Sequence, residues 1–108
     1  MAARLRWHPL ARRDLLEIYE TIGRDNPAAA ERIYDSIEAK TGLLADFPRL
    51  GPRRPEFGPT ARILIVQRYV VLYEIRSGTN QRSASEVRIV RVVDGRRDLP
   101  RLFGASTG

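Results

Sequence analysis

Cysteine is absent from the 108 residues, which removes disulfide frameworks, thiolate metal sites and cysteine nucleophiles together. A single histidine, His8, cannot build an imidazole metal cluster, so no metal and no cofactor is expected. Lysine is nearly missing too: Lys40 is the only one, and eighteen of the nineteen basic residues are arginine. No apolar run exceeds Tyr69–Tyr73, far short of the roughly 18 residues of a membrane span. The opening stretch from Met1 to Trp7 lacks the apolar core of a secretory signal. A cytoplasmic protein without membrane contact is expected. With 43% hydrophobic and 30% charged residues, the composition fits one soluble domain spanning residues 1–108, with residues 104–108 frayed.

The formal net charge is +6 and the sequence pI about 10.7. Residues 1–46 carry seven basic and eight acidic groups, whereas residues 47–108 carry twelve and five. The whole excess lies in the second half, which points to an acidic partner there, protein or nucleic acid.

Arg4–Trp7 alternates polar and apolar residues, the pattern of a short strand, and His8-Pro9 ends it. Ala11, Leu15, Ile18 and Ile22 step at four, three and four residues, predicting an amphipathic helix over Leu10–Ile22. Gly23 stands where a left-handed stop is expected, and Asp14 and Glu17 suit the positive end of the helix dipole. Asn26-Pro27 supplies an N-cap and a first-turn proline for a second helix, whose stripe is Ala30, Ile33, Ile37 and Leu44 and which ends at Phe47-Pro48. Four prolines and two glycines make residues 48–59 an irregular basic loop. Three β-rich runs follow, Arg62–Val66, Tyr69–Arg76 and Glu86–Val93, the first two joined by the tight turn Gln67-Arg68 and the last two by a polar loop over Ser77–Ser85. A basic tail follows, with Leu99, Leu102 and Phe103 as apolar anchors. The expected class is α+β: an N-terminal strand, an antiparallel helical hairpin, then a three-stranded antiparallel sheet with the helices on one face. The other face is either covered by the tail or left for a partner.

Trp7-His-Pro-Leu-Ala11 with Asp14-Leu15, Ile18 and Tyr19 resembles the opening helix of the RelE/ParE superfamily of type II toxin–antitoxin toxins. Asn26-Pro27-Ala-Ala, Leu44 with Phe47-Pro48, and Leu50-Gly51 before arginines are similar to that family's middle. Arg62, Tyr69–Tyr73 and Val90-Arg-Val-Val-Asp-Gly-Arg-Arg-Asp98 are similar to its strands and terminal arginine motif. The resemblance spans residues 4–103 and is closest to the ParE branch. It implies a growth-inhibiting toxin, of the kind linked to plasmid stabilization, neutralised by a cognate acidic, ParD-like antitoxin and acting on DNA gyrase by protein–protein contact. The RelE branch implies instead a ribosome-dependent mRNA endoribonuclease.

RNA cleavage needs a base, a cation for the phosphorane and an acid. The candidates for that chemistry are Arg62, Tyr69, Arg91 and Asp94, with Glu74 as an alternative base and Tyr73 as an alternative acid. Arginine stabilises charge but is a poor base. Many relatives carry histidine where Asp94 stands, and the sheet lacks RelE-type lysines, so a complete acid–base set is not visible and a non-enzymatic role is favoured. Tyr69 and Tyr73 lie four apart on one strand face and suit packing; His8 suits the start of the helix; Arg12, Arg13, Arg24 and Arg32 suit solvated helix faces. The residues expected to bind target or antitoxin are Arg62, Arg68, Arg91, Arg96, Arg97, Arg101 and Phe103. Direct nucleic-acid binding through a helix–turn–helix is disfavoured, because residues 27–46 carry two basic and four acidic groups where a recognition helix meets phosphate with positive charge.

Overall fold

The computed structural model describes residues 3–77 and 84–104. The order is β1 (Arg4–Trp7), α1 (Pro9–Gly23), α2 (Pro27–Gly42), β2 (Ala61–Val66), β3 (Tyr69–Ser77) and β4 (Ala84–Asp94), with short 3₁₀ turns at Leu43–Ala45 and Pro55–Phe57 and one π turn at Pro100–Gly104. The strands form one sheet in the order β1-β4-β3-β2.

Each helix starts as its sequence dictates. His8 Nδ1 accepts the Leu10 N–H at 3.0 Å, and Asn26 Oδ1 accepts the Ala29 N–H at 3.1 Å, with proline in the first turn of both. Gly23 does not act as a left-handed stop: among the described residues only Gln67 and Gly58 have positive φ. Instead α1 ends with the Arg24 and Asn26 N–H groups bonded back to the carbonyls of Glu20 and Ile22.

The sheet differs from expectation in one respect. β1 is not a separate element before a purely antiparallel sheet but a fourth, edge strand, parallel to β4 from Arg4 opposite Glu86 to Trp7 opposite Ile89. A parallel partner needs a long crossover, and α1, α2 and the β2–β3 hairpin provide it. β2–β3 and β3–β4 are antiparallel. The β2–β3 turn has only two residues, and Gln67 takes φ 55°, a conformation glycine would adopt more easily. β4 begins at Ala84 rather than Glu86; most of the expected polar loop, and tail residues 105–108, lie outside the described residues.

Two apolar layers cover the sheet. On the helix side Leu15, Ile37 and Leu44 pack on Leu64, Tyr69, Val71, Tyr73, Val87 and Ile89. On the outer side Ala61, Ile63, Val70, Leu72 and Val93 are covered by Phe57, Leu99, Leu102 and Phe103, with Phe103 edge-on to Phe57 at 5.2 Å. The tail and the 55–57 turn together therefore shield half of the outer face.

No described helix is long and apolar enough to cross a membrane, and no group of metal-ligating residues occurs among the described residues.

Candidate functional site at the hairpin end of the sheet

The two layers separate where the β2–β3 turn, the end of β4 and the second half of α1 meet. There they leave an open groove of about 390 Å³. Its floor is Ile18, Ile22, Tyr69 and Val93, and its rim carries Arg68, Arg91, Arg96 and Arg97 against the acidic Asp14, Glu17 and Asp94. The turn and the strand end are tied together: Gly95 N–H donates to the Arg68 carbonyl at 2.7 Å. A methyl group on Gly95 would sit 3.0 Å from that oxygen and 3.2 Å from Val70, so glycine permits the approach.

Asp94 organises the rim. Its carboxylate accepts the Arg96 N–H at 3.0 Å and the Arg96 guanidinium at 3.2 and 2.9 Å, and Arg68 Nε lies 3.5 Å away. These hydrogen bonds from Arg96, aided by the charge of Arg68, lower the Asp94 pKa to about 2. Such a carboxylate is a weak proton acceptor at neutral pH. Arg68 also stacks over the Tyr69 ring at 5.3 Å and donates to its hydroxyl at 3.2 Å. The side chains of Arg97 and Arg101 are exposed and have no partner among the described residues.

Arg91 borders the same groove but is committed to the fold. β4 carries one extra residue, Val90, between the Leu72–Arg91 and Tyr73–Ile89 pairs, and this bulge re-aims the strand. β1 ends at Trp7, leaving the upper edge of β4 without a strand neighbour. Asp14, projecting from the middle of α1, fills that place. It accepts Arg91 through both carboxylate oxygens at 2.7 and 3.1 Å and the Val92 N–H at 2.9 Å. Asp14 thus joins helix to sheet rather than serving the helix dipole, for the first turn of α1 holds no acidic residue. Donating these hydrogen bonds to the Asp14 carboxylate raises the Arg91 pKa.

Arg62 lies at the opposite end of the sheet. Its guanidinium donates to the carbonyls of Gly51 at 2.7 Å and Arg49 at 3.3 Å. Beside it the buried Tyr73 hydroxyl donates to the Pro48 carbonyl and accepts the Gly51 N–H, both at 2.8 Å. Burial raises the Tyr73 pKa, partly offset by the Gly51 hydrogen bond and the nearby Arg62 charge. A methyl group on Gly51 would run into the Ile63 carbonyl. Together these contacts fasten the 48–54 loop along the edge of β2. Phe103 is buried and anchors the tail.

Of the sequence candidates, then, Arg68, Tyr69, Arg91, Asp94, Arg96 and Arg97 converge on one groove. Arg62 sits with Tyr73, and Phe103 beneath the outer layer. The structural duties of Asp14 and Gly51 were not evident: an acidic residue in a helix and a glycine in a loop carry no mark of a partner far along the chain.

The fold and groove define a small α+β protein with a basic, partly apolar cleft at one end of its sheet. The family model for the ParE toxin of type II toxin–antitoxin systems (parDE) matches residues 5–99, and the chain belongs to this family. Among solved structures it is similar to a chain of the chromosomal ParDE toxin–antitoxin system from P. aeruginosa, with a TM-score of 0.69 and 22% identity over 86% of this chain and 96% of that one. No curated protein matches it.

Proposed function

We propose that this chain is the toxin of a type II pair, that an acidic, ParD-like antitoxin neutralises it, and that it inhibits DNA gyrase by protein–protein contact. The observation that carries this reading is the groove, with isoleucines on its floor and Arg68, Arg96 and Arg97 on its rim. Apolar residues of an amphipathic acidic segment fit the floor while its carboxylates meet the arginines. Arg97 and Arg101 face solvent on a tail held by Leu99, Leu102 and Phe103, so they are presented with little entropy left to lose on binding. The endoribonuclease reading lacks support of this kind. Arg62 is occupied by loop carbonyls, Arg91 by Asp14, and Asp94, with its pKa near 2, is a poor base.

Induced expression in bacteria, with separate readouts of DNA damage and translation, tests the target. Early DNA damage with intact translation is expected; immediate translation arrest, with mRNA cut inside codons, refutes the gyrase assignment. Arg96→Ala with Arg97→Ala should melt normally yet lose toxicity, since truncating an interface arginine often costs about 2 kcal/mol or more. A double variant that melts normally and still kills moves the contact surface elsewhere, first to the Arg49–Arg54 loop.

A further inference from the structure

The outer face of the sheet has two unlike halves. One is apolar and covered by the tail. On the other, strand alternation puts Leu5, Trp7, Ile75, Val87 and Ile89 toward the helices, so Arg4, Arg6, Glu74, Arg76, Glu86 and Arg88 stand on the opposite face. Cross-strand register aligns them in two rows, Arg4–Glu86–Arg76 and Arg6–Arg88–Glu74. An open hollow of about 380 Å³ lies over β3 and β4, bordered by Glu74, Arg76, Glu86 and Arg88 with the uncharged Thr60, Ile75 and Ser77.

The two acids, Glu74 and Glu86, are outnumbered by four arginines, and Glu86 does not cancel its neighbours as seen from solvent. Glu86 lies beneath them, its side chain 13% exposed, while Arg6, Arg76 and Arg88 are 58%, 69% and 38% exposed. Their contacts to Glu86 are long, 3.4, 3.9 and 4.0 Å. One sunken carboxylate thus gathers three guanidiniums into a raised positive surface, and Arg4 beside them is exposed.

We infer that this half-face binds the phosphate backbone of a nucleic-acid duplex, independently of base sequence. The side chains standing on this half-face are charged, and Ile75, the one apolar residue lining the hollow, packs against the helix-side core. A protein partner would therefore find little apolar anchor there, whereas phosphates need only arginine forks. No aromatic ring stands on this half, so single strands have no stacking platform. The surface is separate from the groove assigned to antitoxin and target, and its test does not depend on that reading.

The experiment is fluorescence anisotropy of the purified chain with two 20-base-pair DNA duplexes of unrelated sequence and one single strand, across a salt series. Equal binding to both duplexes is expected, tighter than to the single strand. Four arginine contacts give a log–log salt slope of about −3.6. Arg6→Gln with Arg88→Gln should reduce it to about −1.8, and Arg4→Gln alone to about −2.7. Arg13→Gln with Arg24→Gln, which removes the same charge from exposed positions on or beside α1, should leave it unchanged. The inference is overturned if the two double variants lower the slope alike, if the single strand binds tighter, or if only Arg96→Ala with Arg97→Ala abolishes binding.

Discussion

Replacing Asp14 by alanine should destabilise the protein by about 2–4 kcal/mol. At an effective dielectric near 20, opposite charges about 4 Å apart attract by roughly 4 kcal/mol, and the Asp14–Arg91 pair is closer and bidentate. Desolvation opposes that gain, yet truncating one partner of a buried pair typically costs about 3–5 kcal/mol, because the other charge is stranded. Asp14 is 12% exposed and Arg91 25%, so water relieves Arg91 only in part. The Val92 N–H loses its acceptor as well, at about 1 kcal/mol or more. Asp14→Asn keeps an oxygen for Val92 while discarding the charge, and should fall between wild type and alanine. Urea unfolding of the Asp14→Ala, Arg91→Ala and double variants measures the coupling directly, with about 1–3 kcal/mol expected. A loss below about 0.5 kcal/mol for Asp14→Ala, or coupling near zero, would mark the contact as an ordinary surface ion pair and refute this account. The same measurement bears on toxicity: an Arg91 variant that fails to kill will have lost fold stability, not necessarily a target contact.

Tyr73→Phe leaves the buried Gly51 N–H and Pro48 carbonyl without their bridge and should cost about 1–3 kcal/mol by urea unfolding. The Tyr73 pKa is raised in the fold, so its contribution is complete below the unfolded value near 10 and is lost as pH rises through the folded value; wild-type stability should fall more steeply than that of Tyr73→Phe above about pH 10. NMR titration of the Asp94 carboxyl should give a midpoint of about 2, moving up toward 3.8 in Arg96→Ala; an unchanged midpoint would remove Arg96 as the cause. Gln67→Gly should raise stability by about 0.5–1 kcal/mol by relieving the left-handed turn residue, and a loss instead would show that the Gln67 side chain contributes more than its backbone costs.

The helix starts with their N-caps, the β2–β3 turn and the tail anchors were legible, because each rests on residues within a few positions of one another: His8 with Leu10, Asn26 with Ala29, Gln67-Arg68 between two β-branched runs. The helix ends were not, for Gly23 is no left-handed stop and α2 ends at Gly42, with Leu44 in a separate 3₁₀ turn short of Phe47-Pro48. The partner of β1 was not. Alternation in Arg4–Trp7 marks a strand but does not say which strand receives it, and the answer lies beyond two helices and a hairpin. The arginines of the candidate site were legible as a group but not by duty. Sequence marks Arg62, Arg91 and Arg96 equally as cations, and only the packing ties Arg62 to Gly51, Arg91 to Asp14 and Arg96 to Asp94. The Val90 bulge, which puts Val92 rather than Arg91 in step with Val87 and Ile89 in the helix-side core, leaves no pattern in composition at all.

The parallel seam between β1 and β4 also sets an order in time. Arg6 and Glu86 are 80 residues apart, so closing that loop costs about 4 kcal/mol of chain entropy beyond a fixed constant, whereas the β2–β3 turn closes over two residues. The meander of β2, β3 and β4 can therefore assemble early, leaving β1 and α1 to dock onto it last. Interactions made after the rate-limiting barrier govern how fast a molecule comes apart, not how fast it forms. The Asp14 clamp belongs to that late step. Its loss should steepen the approach to unfolding, moving the unfolding arm of a chevron upward while the folding arm stays in place, so that one carboxylate sets how long each folded molecule lasts.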